Sequence, residues 1–99
     1  MYGKKTRSRK VDGEAAAVLA LQALSFLAGE PARLDRFLRL TGVTIDRLKT
    51  DADAASAQTA VLDYLLADES LLLAFAANAA IAPREIAAAR SVLAGRERE

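Results

Sequence analysis

Cysteine, histidine and tryptophan are absent from this 99-residue sequence, and Met1 is its only methionine. Without cysteine the chain cannot form the disulfides that stabilise most small secreted domains, so we expect it in the cytoplasm. Zinc, copper and haem are held mainly by cysteine, histidine and methionine, and we therefore expect no metal and no cofactor. Catalytic pairs in which histidine activates serine or cysteine are excluded. We predict that the protein is not an enzyme.

Long apolar runs are absent as well. Leu71 to Ala77 is an uninterrupted apolar run of seven residues, whereas a helix that crosses a bilayer needs about 20. The first apolar segment is interrupted by Gln22 and Ser25 and has no clear cleavage site, so it is not typical of a signal peptide. We predict no membrane span.

Alanine and leucine dominate what is present. The chain has 23 alanines and 15 leucines but only five valines and three isoleucines. Alanine and leucine favour helices, whereas β-branched and aromatic residues favour strands. The length is common for one domain. The composition therefore predicts a single all-α domain, folded as a compact bundle of about six helices.

Charge is unevenly distributed, although the net charge is only +1. Five of the 14 basic residues lie in the first ten positions, namely Lys4, Lys5, Arg7, Arg9 and Lys10. The rest of the chain has nine basic and 13 acidic residues and so carries a charge of −4. We predict a flexible, disordered basic tail over residues 1–12. Its cations are candidates for contact with nucleic acid or an acidic partner, and a solvated terminus is the alternative.

Apolar periodicity, proline and glycine divide residues 13–95, the predicted helical domain, into six helices. The second helix is predicted to run from Pro31 to Leu40, because proline suits the first turn of a helix. It stops at Gly42, since glycine tolerates the left-handed backbone of a helix end. Thr44 is predicted to cap the short third helix.

Asp68 is predicted to cap the fifth helix, and the sixth begins at Pro83 and ends at Gly95. The three-and-four spacing of apolar residues predicts one buried face in each helix. The predicted core positions are Val18, Leu21, Leu24, Leu27 and Ala28 in the first helix, Leu34, Phe37 and Leu38 in the second, Leu48 in the third, Val61, Leu62, Leu65 and Leu66 in the fourth, and Ile86 and Leu93 in the sixth.

The second half of the domain resembles the first when the chain is shifted by 38 residues. The apolar positions that coincide are Leu24 with Leu62, Phe26 with Tyr64, Leu27 with Leu65, Leu34 with Leu72, Phe37 with Phe75, Val43 with Ile81, and Leu48 with Ile86. Buried positions are the costliest to change, so duplication of a three-helix unit would leave such matches. We predict two pseudo-repeated halves, at about residues 14–50 and 54–94.

One helix face differs between the two halves. The same shift places Arg33, Arg36 and Arg39 on Leu71, Ala74 and Ala77. The fifth helix is therefore apolar on nearly every side, and such a helix has to be buried on every side. We predict either that it lies at the centre of the fold or that Leu71, Ala74 and Ala77 lie in an interface with another subunit.

The three arginines of the second helix form a basic stripe at three-residue spacing. Arg33, Arg36 and Arg39 are candidate contacts for an acidic partner or nucleic acid. Asp35 stands four residues before Arg39, a pairing typical of a solvated helix face. We favour the solvated face.

Two corners of the sequence have the spacing of a helix-turn-helix. The matching residues are Ala76, Ala80, Ile81, Ala82 and Ile86 in the second half, and Leu38, Gly42, Val43, Thr44 and Leu48 in the first. Arg84 and Arg90 are then the candidate nucleic-acid contacts of the last helix. Because that helix offers few base-reading side chains and the body is acidic, two tightly packed corners are the favoured interpretation.

Several runs of residues point to a family. The most specific is Leu62-Asp63-Tyr64-Leu65-Leu66-Ala67-Asp68-Glu69-Ser70-Leu71-Leu72 with Phe75, and the first half adds Leu19-Ala20-Leu21-Gln22-Ala23-Leu24 and Leu34-Asp35-Arg36-Phe37-Leu38. From Ala15 to Leu93 the chain resembles a bacterial family of short, alanine- and leucine-rich helical proteins catalogued as a domain of unknown function. The family pattern has a Gly-apolar-x-Pro turn in both halves, whereas this chain has Ile45 for the first proline and Ala80 for the second glycine. The resemblance implies no activity, cofactor or functional residue.

Taken together, these features favour a non-enzymatic helical interaction protein that binds a protein partner or forms a homodimer. The alternative is a small nucleic-acid-binding protein that uses the basic tail and the helix-turn-helix-like corners.

Overall fold

The computed structural model describes residues 11–51 and 54–97, and six helices account for most of them. The helices are α1 (Gly13–Ala28), α2 (Pro31–Thr41), α3 (Ile45–Asp51), α4 (Ala55–Leu66), α5 (Glu69–Ala79) and α6 (Pro83–Glu97). No strand occurs in this part of the chain, which confirms the all-α prediction. The five candidate cations of the predicted tail lie outside the described residues.

The predicted helix caps are present. The Asp68 carboxylate accepts a hydrogen bond from the Leu71 backbone N–H at 3.1 Å, at the start of α5. The Thr44 hydroxyl accepts one from the Arg47 backbone N–H at 3.0 Å, at the start of α3. Each bond satisfies a backbone donor that has no partner within its helix, and such a cap stabilises a helix by about 1 kcal/mol.

Left-handed residues end both α2 and α5. Gly42 has a φ of 79°, which confirms the predicted stop, and Ala80 has a φ of 58°. Glycine adopts this conformation freely, whereas the Cβ of alanine makes it cost about 1 kcal/mol. The predicted end of α6 at Gly95 is wrong by two residues. Gly95 does not have the positive φ that ends a helix at Gly42, and α6 therefore continues past it.

Helices α1, α4 and α6 form the centre of the fold and pack most extensively against one another. Phe37 from α2 and Phe75 from α5 enter this centre from the two flanking helices, and both are almost completely buried. The other buried core residues are Ala16, Leu19, Ala20, Ala23, Leu27, Ala57, Val61, Leu62, Leu65, Ala76, Ile86, Ala89 and Leu93. The small alanines allow close approach of the helix backbones.

The predicted buried stripe of α1 is partly wrong. Val18 is 51% exposed and Leu21 is 39% exposed, and Ala28 is exposed as well. The buried face runs instead through Ala16, Leu19, Ala20, Ala23 and Leu27. Because α1 is apolar on nearly all sides, the spacing of its apolar residues fits two stripes. Packing against α4 and α6 selects the stripe that contains more alanine.

The prediction that α5 lies at the centre of the fold is wrong. Only Phe75 and Ala76 are buried in this helix, and Leu73 is 50% exposed. A single aromatic ring therefore anchors α5 at the side of the bundle, much as Phe37 anchors α2. The alternative, an interface with another subunit, stays a prediction.

The flanking helices α2 and α5 correspond to each other along the chain, whereas α3 and α6 do not: α6 packs at the centre of the fold and α3 has no buried residue. Helix α5 begins and ends 38 residues after α2, and the left-handed residues that follow them are also 38 apart. The ring of Phe26 on α1 lies 5.4 Å from that of Phe75 on α5. The matching pair, Tyr64 on α4 and Phe37 on α2, has ring centroids 5.2 Å apart. Each half therefore inserts an aromatic side chain toward the other.

Candidate interaction surface

The outer faces of α2 and α5 occupy equivalent positions but differ in chemistry. On α2, Asp35 and Arg39 form an ion pair of 3.0 Å, and both side chains are mostly exposed. On α5, one solvent-facing stripe carries no charge: Ser70, Leu73, Ala74 and Ala77. The burial of Phe37 and Phe75 shows that both helices dock through the same position. The apolar outer face of α5 is therefore not needed for docking to the bundle.

A cleft of about 510 Å³ adjoins the first turn of this stripe. Its lining residues come from α2, from the end of α4 and from the start of α5: Arg36, Leu40, Tyr64, Ala67, Asp68, Glu69 and Ser70. Leu40 is 64% exposed and is the most exposed of the large apolar residues in the described part of the chain. Tyr64 is half-buried, and its ring meets that of Phe37 edge to face.

Opposite charges stand on the two walls of this cleft. Arg36 is on the α2 wall, and Asp68 and Glu69 are on the α5 wall. The Asp68 carboxylate already accepts the capping hydrogen bond of α5. Within residues 11–51 and 54–97, neither Arg36 nor Glu69 forms an ion pair. One cation and one anion of the cleft are therefore unpaired and exposed.

We call these residues together the α2–α5 surface. It consists of Arg36 and Leu40 on α2, Tyr64 on α4, and Glu69, Leu73, Ala74 and Ala77 on α5. Leu71, predicted as an interface residue, is half-buried and packs against the core. Sequence reasoning did not single out Leu40 or Leu73. Leu40 was missed because it lies near the face of α2 that was assigned to solvent, and Leu73 because its neighbours in the sequence are apolar.

Two of the three arginines in the predicted basic stripe make local contacts. The guanidinium of Arg33 lies 4.6 Å above the ring of Phe26 and 3.8 Å from the Glu30 carboxylate. Arg39 pairs with Asp35, as the spacing predicted. These contacts are typical of a solvated helix face. Arg36 is the member of the stripe that faces the cleft.

The two candidate arginines of α6 are in different surroundings. Arg90 donates two hydrogen bonds to the Asp63 carboxylate on α4, of 2.6 and 3.2 Å. This bidentate pair joins α4 to α6, and sequence reasoning missed it because the partners are 27 residues apart. Arg84 is exposed at the start of α6. The two arginines therefore do not form one continuous basic patch.

The corner between α5 and α6 is sharp. The two helices are bent by 100° relative to each other, and residues 80–82 connect them. A helix-turn-helix has a similar angle, about 90–120°, and a turn of similar length. The exposed residues of α6 up to Gly95 are Pro83, Arg84, Ala87, Ala88 and Ser91. Proline and alanine side chains carry no donor or acceptor for a base edge, which leaves Arg84 and Ser91.

A second polar cleft lies between the end of α2 and the start of α4. It has a volume of about 320 Å³, and its polar side chains come from Thr41, Thr44, Arg47 and Ser56. The Arg47 guanidinium donates a hydrogen bond of 2.6 Å to the Ser56 hydroxyl. The Thr44 hydroxyl is the cap of α3. The Thr41 hydroxyl donates a hydrogen bond of 2.7 Å to the Phe37 carbonyl. Local hydrogen bonds therefore already engage all four of these side chains.

Two buried polar atoms of α4 have no hydrogen-bond partner in the described part of the chain. They are Oε1 of Gln58 and the hydroxyl oxygen of Thr59. Gln58 is 3% exposed and Thr59 is 7% exposed. A buried polar group without a partner costs about 1–3 kcal/mol. The residue 38 positions before Gln58 is Ala20, which is also buried.

Within residues 11–51 and 54–97, no group of three aspartate or glutamate side chains is placed to hold a metal ion. None of the helices there is, by itself, long and apolar enough to cross a bilayer. Two pairs, α1 with α2 and α5 with α6, reach that length and composition only when joined across bends of 118° and 100°.

Comparison with known proteins places the chain in a family. No curated protein and no solved structure matches it. A family model matches residues 13–96, which confirms the resemblance seen between Ala15 and Leu93. That model is described as "Protein of unknown function (DUF3572)", and the chain therefore belongs to the DUF3572 family.

Proposed function

We propose that this chain is a non-enzymatic interaction protein that binds a protein partner, or a second copy of itself, through the α2–α5 surface. The observation that carries the proposal is the apolar outer face of α5. Leu73, Ala74 and Ala77 stand where α2 has Asp35, Arg36 and Arg39. Both helices are anchored in the same way, so α2 provides a charged counterpart of this face within the chain.

Burial of this surface supplies a driving force for association. Leu40 is 64% exposed and Leu73 is 50% exposed. Full burial of a leucine side chain from water contributes about 1.5–3 kcal/mol, so a partner that covers the remaining area gains about 1 kcal/mol from each. The charges of Arg36 and Glu69, which form no ion pair within the described residues, favour one orientation of the partner. A partner in another orientation would bury these charges without a counter-ion.

The roles of the carboxylates support the non-enzymatic part of the proposal. Asp68 caps a helix, and Asp35 and Asp63 are held in ion pairs with arginines. Acid–base catalysis requires carboxylates, lysines or tyrosines that converge on one reacting group. Structural roles account for these three acids without any substrate.

Duplication of a three-helix unit belongs to the same proposal. It is supported by the exchanged aromatic pairs and by the equal positions of Gly42 and Ala80. After duplication, one copy of the flanking helix kept a charged outer face and the other acquired an apolar one. A binding face on α5 gives a reason for that divergence.

The test compares aspartate substitutions at two apolar positions of nearly equal exposure. Leu73 and Val18 are exposed to nearly the same extent, 50% and 51%, but lie on α5 and α1. Immobilised wild-type protein, Leu73→Asp and Val18→Asp are incubated with a lysate of the source cells, and the retained proteins are quantified. We expect Leu73→Asp to retain at least about tenfold less of a protein that the wild type binds specifically. Val18→Asp should retain as much of that protein as the wild type does.

Circular dichroism has to show that both variants fold like the wild type. Equal retention by wild type and Leu73→Asp would contradict the proposal. So would a wild-type protein that retains nothing specific and also does not associate with itself.

A small nucleic-acid-binding protein is the second candidate. The sharp corner between α5 and α6, with left-handed Ala80 in the turn, supports a helix-turn-helix-like shape. Arg84 is the exposed cation at the start of α6. This candidate predicts binding of a short DNA duplex at about 50 mM salt, with affinity that falls steeply as salt increases. Fluorescence anisotropy with the wild type and Arg84→Ala tests it, and absence of binding at low salt excludes it.

A further inference from the structure

We infer that the occupant of the α2–α5 surface is a second copy of this chain, joined to the first by a twofold axis. The inference rests on the proposed function, since it names the partner of the same surface. Its basis is the arrangement of charge around the cleft. Arg36 on α2 and the acids at the start of α5 line one cleft together with exposed Leu40 and half-buried Tyr64.

No ion pair joins the two walls of the cleft within the described part of the chain. Arg36 and Glu69 both line the cleft, and neither has an ion-pair partner in the described residues. A partner surface that presents an anion opposite Arg36 and a cation opposite Glu69 would pair both charges. An acidic partner would leave Glu69 without a counter-ion, and a basic partner would leave Arg36 without one.

A twofold axis through the cleft meets both requirements at once. In such an interface each residue pair occurs twice, because the same patch is used by both copies. Arg36 then stands opposite Glu69 of the second copy, and Glu69 stands opposite Arg36 of the second copy. Arg36 and Glu69 are thus complementary to each other across the axis, while the Asp68 carboxylate stays at the cap of α5.

The apolar part of the surface fits the same arrangement. Leu40 projects beside the cleft that Tyr64 lines, so each copy offers one leucine and one cleft. Leu73 lies one turn beyond Glu69 on α5, and its outward position extends the apolar contact along that helix. Exposed apolar residues ringed by paired charges are the usual composition of a protein interface.

Sedimentation equilibrium with charge-reversed variants tests the pairing. Arg36→Glu places a glutamate opposite Glu69 of the other copy, and Glu69→Arg places an arginine opposite Arg36. Each variant alone should dimerise at least about tenfold more weakly than the wild type, because both contacts become repulsive. An equimolar mixture of the two variants restores opposite charges at both contacts. It should form a heterodimer with an affinity within about threefold of the wild type.

Matched controls separate pairing from general charge effects. Lys49→Glu and Asp46→Arg make the same charge reversals on exposed residues of α3, and Asp46 also lies in the first turn of its helix. Neither should change dimerisation. Leu40→Asp should abolish dimerisation without unfolding the chain. This variant leaves the start of α5 unchanged, whereas Glu69→Arg alters it.

Three results would overturn the inference. One is a wild-type protein that stays at its single-chain mass of 10.5 kDa at all concentrations tested. In that case the lysate experiment still decides the proposed function. The second is a wild-type dimer that Arg36→Glu, Glu69→Arg and Leu40→Asp leave intact. The third is a mixture of the two charge-reversed variants, each folded, that remains monomeric.

Discussion

Phe26 of α1 packs against Phe75 of α5, with ring centroids 5.4 Å apart. The residues 38 positions away from each, Tyr64 and Phe37, pack against each other at 5.2 Å. Each of the two contacts joins an aromatic residue of one half of the chain to an aromatic residue of the other half. Neither half therefore completes its core alone, and Phe37 and Phe75 are the two anchors on which the flanking helices depend.

Truncation of either anchor should destabilise the protein to a similar extent. Phe37 and Phe75 are 0% and 1% exposed, so Phe37→Ala and Phe75→Ala each leave a cavity and lose the buried ring. We expect a loss of about 3–5 kcal/mol in the free energy of unfolding for each. Urea denaturation followed by circular dichroism measures it. Leu73→Ala, at a half-exposed site, should cost no more than about 1 kcal/mol and serves as the control.

Replacement of Ala80 by glycine should stabilise the protein. Its φ of 58° is left-handed, a conformation that glycine adopts without the clash of a Cβ. We expect Ala80→Gly to raise the free energy of unfolding by about 0.5–1 kcal/mol. The reverse change at the equivalent position, Gly42→Ala, should lower it by about 1 kcal/mol, since open space around Gly42 leaves backbone strain as the main effect. A loss of stability in Ala80→Gly would show that Ala80 is not left-handed in solution.

The hydroxyl of Thr59 should be dispensable for stability. It is buried and has no hydrogen-bond partner in the described part of the chain, whereas valine has the same shape and no polar group. Both residues are β-branched, so helix propensity changes little. We expect Thr59→Val to stabilise the protein by about 1 kcal/mol in thermal or urea unfolding. A destabilisation of that size would mean that the hydroxyl is hydrogen-bonded after all.

The ion pair between Asp63 and Arg90 should contribute little despite its good geometry. The two side chains are 49% and 39% exposed, so water and salt screen the pair. We expect a coupling free energy of about 0.5–1 kcal/mol in a double-mutant cycle with Asp63→Ala and Arg90→Ala. The coupling should decrease when the salt concentration rises. A coupling of several kcal/mol would indicate a buried contact.

Local signals in the sequence were sufficient for the helices and for most of their ends. Thr44 and Asp68 cap helices as predicted, and Gly42 ends one, because capping depends on residues close together in the chain. The predicted end of α6 was wrong because Gly95, although a glycine, does not have the left-handed backbone that ends a helix at Gly42.

Which face of an apolar helix is buried could not be read from spacing alone. Val18 and Leu21 fit a helical stripe as well as Leu19 and Ala23 do, and only the packing of α4 and α6 decides between them. For the same reason, the spacing of apolar residues in α5 did not indicate that Leu73 is exposed. The cleft of the α2–α5 surface could not be predicted from the sequence either. Arg36 and Glu69 line the same cleft only because of the tertiary arrangement of their helices.

Methyl NMR of the exposed leucines tests the central claim most directly, because it reports which face of the protein becomes covered. Leu40 and Leu73 lie on the α2–α5 surface, whereas Leu21, 39% exposed, and Val18 lie on α1. As protein concentration increases, we predict that the methyl signals of Leu40 and Leu73 shift or broaden while those of Leu21 and Val18 stay constant. Constant signals from Leu40 and Leu73 together with shifting signals from Leu21 and Val18 would contradict the account.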